Sequence, residues 1–278
     1  MSKVDTKALR GRVELINNLP TIPMVLKRLL TIVENPSISL GEISEFISSD
    51  PALTTKVLRM VNSPVYGFPG RISSVSQAVV LLGTNVVKGL LFGVSVFDLM
   101  QQAMIGLWEH SLGVAILSRL IAKRKGLKEP EEASVAGLLH DIGKVIFILQ
   151  LPEEYQKAMD QAEARGITMA EAEKDLLDVT HAHVGSWVAQ SWRFPANLVD
   201  VIYYHHRPHL AKSAPDEVAI VHLADSLVRA RGFGFAGDRF MPSVNQAAWK
   251  SLNLSEEDLK EIMQEMEGSL EASEELVL

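Results

Sequence analysis

A histidine followed at once by an aspartate, His140-Asp141, lies inside a strongly apolar run. Ala136-Gly137-Leu138-Leu139 precedes the pair, and Ile142-Gly143-Lys144 then leads into Val145-Ile146-Phe147-Ile148-Leu149. Ionisable groups in such surroundings are costly to bury unless paired, hydrogen-bonded or bound to metal. The run suggests a buried helix, on which adjacent residues project about 100° apart, so both side chains could reach one ion. The dipeptide alone leaves an alternative open: a core histidine held by its neighbour's carboxylate.

The other histidines bear on that choice. All eight lie after residue 105, and His110, His140, His183, His205, His206 and His222 fall on five predicted helices. With Asp141 and Asp225 they form a set of nitrogen and oxygen donors. Such a set suits a divalent transition metal, Fe or Mn foremost and Zn, Co or Ni as well, rather than thiolate-selected ions. Building a site from the inward faces of several helices is a known solution in helical proteins. Any one of these residues taken alone also reads as a scattered core or surface histidine. His222, three residues before Asp225 on one helix face, reads as core, and His181 and His209 as surface.

Composition narrows the classes. The chain of 278 residues is 47% hydrophobic and 22% charged, the balance of a chain able to bury a real core. A net charge of −7 argues against a general polyanion-binding surface, so no nucleic-acid partner is expected. Without cysteine there is no disulfide, iron–sulfur cluster or thiolate nucleophile. The N-terminal Met-Ser-Lys-Val-Asp-Thr-Lys lacks the apolar core of a signal peptide, so a cytoplasmic location is the expectation. The apolar stretch Ala78 to Met100 carries Asn85 and Lys88 near its middle, Thr84, three glycines, and Asp98 near its end. It reads as a buried helix rather than a membrane span.

The elements that must position these donors read as helices throughout, with no convincing strand alternation. Leu19-Pro20-Thr21-Ile22-Pro23 introduces a helix over Met24 to Val33. Ser39 with Glu42 has capping-box spacing, Asp50-Pro51 reads as an N-cap and first helical residue, and Ser74 with Gln77 opens the long apolar stretch. After a composition change near Gln101-Gln102, Trp108 to Lys125 forms a helix closed by Gly126, and Pro130 starts the one expected to carry His140 and Asp141. Thr168 with Glu171, Thr180, Pro195, Asp216 and Ser255 with Asp258 mark further starts, and the last helix is expected to fray near Glu274-Glu275. The loop Gly232 to Pro242 is glycine-rich, with Phe233, Phe235 and Phe240 to pack it down. The expected fold is all-α: an N-terminal helical subdomain over residues 1–100 and a multi-helix metal-site subdomain over 101–278.

The order His110, His140-Asp141, Asp225 resembles the H…HD…D pattern of the HD-domain metal-dependent phosphohydrolases, and Leu138-Leu139-His140-Asp141-Ile142-Gly143-Lys144 is similar to their most recognisable string. His183 followed by Gly185, and the paired His205-His206, resemble additional ligands of the HD-GYP branch. Leu19-Pro20-x-x-Pro23, Ser49-Asp50-Pro51-Ala52-Leu53, Leu58-Arg59-Met60-Val61-Asn62-Ser63 and Ile72-Ser73-Ser74-Val75 through Leu81-Leu82-Gly83 look like an HDOD domain. The resemblance covers roughly residues 13 to 231.

The resemblance implies one ion held by His110, His140, Asp141 and Asp225. A second would be bridged by Asp141 and held by His183, His205 and His206. Many HDOD proteins lack these ligands and serve as non-catalytic signalling modules, so this chain's full set leaves catalysis open. Arg207-Pro208 stands where the HD-GYP branch continues toward its Gly-Tyr-Pro loop, and Gly106 stands where its trinuclear members place a glutamate. Both departures argue against cyclic-di-GMP hydrolysis. Asp141 and Lys144 are the candidate catalytic residues, with Lys144 and Arg207 as candidate phosphate contacts; a solvated cation is the alternative for each. Two functions follow from the resemblance. One is a regulatory module that binds a signalling protein or a nucleotide, favoured by the N-terminal unit. The other is a metal-dependent phosphohydrolase acting on a nucleotide, favoured by the ligand set.

Overall fold

The computed structural model describes residues 9–11, 38–66, 68 and 71–272, apart from the Asp98 side chain. The expected helix over Met24 to Val33, its proline-marked start and the fraying end at Glu274-Glu275 lie outside the described residues.

Capping residues set where the first helices begin. The Ser39 hydroxyl accepts from Glu42 N–H, and the Glu42 carboxylate returns to Ser39 N–H, opening α1 (Leu40–Ser48). Asp50 accepts from the N–H groups of Ala52 and Leu53, with Pro51 as the first residue of α2 (Pro51–Val61). These contacts satisfy donors that a helix start otherwise leaves unpaired. Ile43, Phe46, Ile47, Leu53, Val57, Met60 and Val61 are buried, and both helices pack on α3 (Val75–Ala103). Val75–Phe97 is long and apolar enough to cross a membrane by length and composition, and 67% of that window is buried inside the protein. The division expected at residues 100 and 101 falls inside α3, and the buried side chains from Leu9 to Leu270 form one cluster.

The metal-site half is organised around α4 (Leu107–Lys125), which is buried on almost all sides from Leu107 to Ala122. A helix apolar all round must be covered all round. Here α5 (Pro130–Leu139), α11 (Pro215–Arg231) and α13 (Glu256–Glu271) provide most of the cover. Beside this group, α6 (Ile142–Gln150) packs on α9 (His181–Ser191), which also packs on α10 (Ala196–Tyr204). Helices α7 (Pro152–Arg165) and α8 (Met169–Leu177) pair beside them, with Thr168 and Glu171 forming the capping box expected at the start of α8. A short helix, α12 (Gln246–Leu252), is capped by Asn245 and lies on α11. There is no strand among the described residues.

One expectation fails in an informative way. His140 and Asp141 do not lie within a helix. They occupy the two-residue break between α5 and α6. The break turns the chain so that α6 can run close beside α9. Gly143 makes this approach possible, because a Cβ there would come within 1.9 Å of the His181 carbonyl oxygen.

Candidate metal centre

Three imidazoles in the cluster, those of His140, His181 and His205, are aimed by what their Nδ1 atoms bond. The His140 Nδ1 lies 2.7 Å from the Gly137 carbonyl oxygen, and the His205 Nδ1 lies 2.9 Å from that of Ile202. Both carbonyls belong to the final turns of the helices that end at these histidines. A carbonyl only accepts, so each ring donates from Nδ1, and in the neutral form its lone pair is on Nε2. His181 is set in the same way by a carboxylate, with its Nδ1 2.7 Å from Glu173 Oε2. The three Nε2 atoms therefore point inward.

They converge on Asp141. Its Oδ2 lies 3.2 Å from His140 Nε2 and 3.7 Å from His110 Nε2, and His110 Nε2 is 3.2 Å from Asp225 Oδ1. The other oxygen, Oδ1, lies 3.2 Å from His181 Nε2 and 3.9 Å from His205 Nε2. His181 Nε2 is in turn 3.4 Å from His205 Nε2 and 2.8 Å from His206 Nε2. The Asp141 carboxylate thus stands between two donor groups. One contains His110, His140 and Asp225, and the other contains His181, His205 and His206.

The chemistry of this set fits divalent ions. His110 Nε2, His140 Nε2, Asp141 Oδ1 and Asp225 Oδ2 are buried without a hydrogen-bond partner, an arrangement that is costly for polar atoms left to themselves. Neutral imidazoles whose lone pairs face one another repel, and a cation between them removes the repulsion. The downward shifts of three of the histidines also suit ligation. Burial pushes His110 down to about 4 and holds His205 and His206 well below their ordinary range. Burial would raise both aspartates, but His140 and Lys144 hold Asp141, and Arg229 and His110 hold Asp225, well below the usual carboxylate range.

The structure brings together His110, His140, Asp141, His205, His206 and Asp225, and it places the other candidates elsewhere. His183 is not in the cluster. Its Nδ1 lies 2.8 Å from the Thr180 hydroxyl, accepts from Thr180 N–H, and its ring packs on Tyr203. His181, expected at the surface, takes that place and is fully buried. The two residues are about 200° apart around α9, so only one can face inward. Lys144 is not solvated: it is fully buried, its Nζ donating to Asp141 Oδ2 at 2.6 Å and to Ala236 O at 2.7 Å. Arg207 is exposed, with its guanidinium over the Tyr203 ring. His222 is buried, but it also serves the site: its Nδ1 is 2.7 Å from the His205 carbonyl oxygen, and its Nε2 accepts from Asn245 N–H. His209 is exposed, as expected.

Several supporting residues went unnoticed in the sequence. Glu173 carries His181, and Tyr155 donates to its second oxygen at 2.9 Å. Arg229, one turn beyond Asp225, donates to Asp225 Oδ1 at 2.8 Å and to Asp238 Oδ1 at 2.9 Å. The i,i+4 spacing of Asp225 and Arg229 was the one signal that could have found this pair. The glycine-rich loop packs over the first turn of α4. There Phe235 N–H donates to Gly106 O at 2.8 Å, and Gly234, at φ 70°, lies where a Cβ would come within 2.2 Å of His110 N.

The family model for the HDOD domain matches residues 19–208. An uncharacterised protein of Treponema pallidum is 28% identical over 229 residues, 81% of this chain and 45% of its own length. The chain therefore spans less than half of that relative. Among solved structures, an HDOD domain protein of unknown function from Geobacter sulfurreducens has a TM-score of 0.72 and 29% identity, and 99% of each chain is covered. A candidate phosphohydrolase from Shewanella amazonensis has a TM-score of 0.62 and 26% identity over 96% of this chain and 99% of its own. With its helical architecture and more than half of its length matched, this chain belongs to the HDOD domain family.

Proposed function

We propose that this HDOD domain binds up to two divalent transition-metal ions, Fe or Mn foremost, and uses them to hydrolyse a phosphoester. The observation that carries the reading is the Asp141 carboxylate, whose two oxygens face two separate groups of histidines. When bound, such ions lower the pKa of a water and neutralise charge on a phosphoryl oxygen. The chain's own residues hold the arrangement. Lys144 fixes one oxygen of Asp141, Arg229 fixes Asp225, and Glu173, Gly137 and Ile202 fix the rings of His181, His140 and His205.

A second reading has its own support. The donors come from α4, the α5–α6 break, α9, the end of α10 and α11, so bound metal would tie five parts of the chain together. A module that reports metal or nucleotide occupancy to a signalling partner needs that coupling and no turnover.

Metal content by mass spectrometry, on protein purified without chelator or metal-affinity tag, tests the centre. About two ions per chain are expected, with loss in Asp141→Ala while helical content is kept. Full metal content in that variant would overturn the site. Phosphoester turnover by the loaded protein, abolished in Asp141→Ala, supports the enzymatic reading; loaded protein that turns over no phosphoester leaves the regulatory one.

A further inference from the structure

The centre is closed on most sides. His110, His140, Asp141, His181, His205 and Asp225 are each at most 1% exposed, and His206 is the one proposed ligand in contact with solvent. The loop over Gly106, with Gly234 pressed on the backbone of His110, covers one flank, and the Lys144–Ala236 bond covers another. His206 opens into a cleft of about 520 Å³ whose lining includes His222, Arg229, Asp238, Phe240 and Met241.

Most polar groups in this lining are already committed. Asp238 accepts from Met169 N–H, Phe240 N–H and Arg229 Nη1. His222 uses both ring nitrogens, and the Glu171 carboxylate closes its capping box with Thr168. Arg229 differs. Its Nε and Nη1 are bonded, whereas Nη2 has no partner among the described residues. This leaves a planar cation, anchored on two carboxylates, with a donor to spare one helical turn beyond the ligand Asp225. Guanidinium groups so held suit phosphate oxygens.

We propose that the ligand of this centre is a phosphate monoester, or another terminal phosphate, which enters end-on through the His206 cleft with Arg229 Nη2 on a non-bridging oxygen. The inference rests on the metal-centre reading and restricts its substrate class. An internal phosphodiester carries an organic arm on each side of phosphorus and needs two exits from the metals. The burial of every proposed ligand except His206 provides one. A monoester needs one exit, and its single arm lies along Phe240 and Met241, whose side of the cleft is apolar.

The test is calorimetric titration of the metal-loaded chain with inorganic phosphate, phenyl phosphate, methyl sulfate and dimethyl phosphate. Methyl sulfate has the same single charge as dimethyl phosphate but one organic arm, so the pair separates shape from charge. Phosphate and phenyl phosphate are expected to bind at one per chain, and methyl sulfate at least fivefold more tightly than dimethyl phosphate. Arg229→Gln should weaken phosphate at least tenfold. Because that change also touches Asp225, Met241→Asp serves as the second variant, placing a negative charge at the cleft without contacting a proposed ligand. It should weaken phosphate severalfold at unchanged metal content. Dimethyl phosphate binding as well as methyl sulfate, or phosphate affinity unaltered in both variants, would overturn the inference. A chain that takes up no metal refutes the centre instead, and the same titrations on it still decide whether Arg229 and the cleft select a terminal phosphate.

Discussion

Glu173 Oε2 receives two hydrogen bonds from one residue, the backbone N–H and the ring Nδ1 of His181, each at 2.7 Å. The Glu173 carboxylate lies on α8, and with both oxygens occupied it locks the first turn of α9 against that helix. The ring cannot turn without breaking a buried charge-assisted bond, so Nε2 stays aimed at Asp141.

Metal titration should therefore separate two histidines that sequence alone could confuse. His181→Ala is expected to lose at least one ion, whereas His183→Ala keeps the wild-type stoichiometry. Glu173→Gln, which retains the acceptor but not the charge, should weaken metal binding about 10- to 100-fold. Equal losses in the His181 and His183 variants would mean that α9 is turned differently from the arrangement described.

Gly143 and Gly268 give a contrast in stability. A Cβ on Gly143 would meet the His181 carbonyl at 1.9 Å and Gly185 N at 2.7 Å, both of them backbone atoms that no rotamer change can move. Gly143→Ala should force α6 and α9 apart at a cost of about 3 kcal/mol in urea unfolding. Gly268, on α13, has nothing within 4 Å, so Gly268→Ala should stabilise by about 0.5–1 kcal/mol through helix propensity. A Gly143→Ala midpoint equal to wild type would refute the close crossing of the two helices.

Chelator-treated protein should lose stability as the pH falls from about 6.5 toward 4. Burial places His110 at about 4 and His205 and His206 well below the ordinary value, so the folded chain binds fewer protons than the unfolded one in this window. Burial also lowers His183, to about 4, and His222; at His140 the Asp141 charge outweighs burial and raises the group, which opposes the trend mainly above about pH 6.5. The net slope is roughly 1.4 kcal/mol per pH unit for each proton in excess. Urea midpoints measured at pH 7, 6 and 5 check the sign, and a midpoint that rises on acidification contradicts it.

The sequence determined the helical class, because caps and helical periodicity are local properties. Ser39, Asp50, Thr168 and Ser255 each start a helix where their spacing to the next acidic or proline residue places it. It also marked His110, His140, Asp141, His205, His206 and Asp225, since histidines and aspartates in apolar surroundings need partners wherever the chain puts them. Tertiary structure decided the rest. The choice of His181 over His183 depends on which side of α9 meets α6, and two residues separated by one position give no local signal of that. Glu173, Asp238 and Ala236 join the site from segments 8 to 92 residues away from the groups they bond. Lys144 reads as a free cation in the sequence and becomes an internal strut only because the 232–242 loop closes over it. Long-range contacts of this kind are set by how the helices pack, and periodicity along one helix does not encode them.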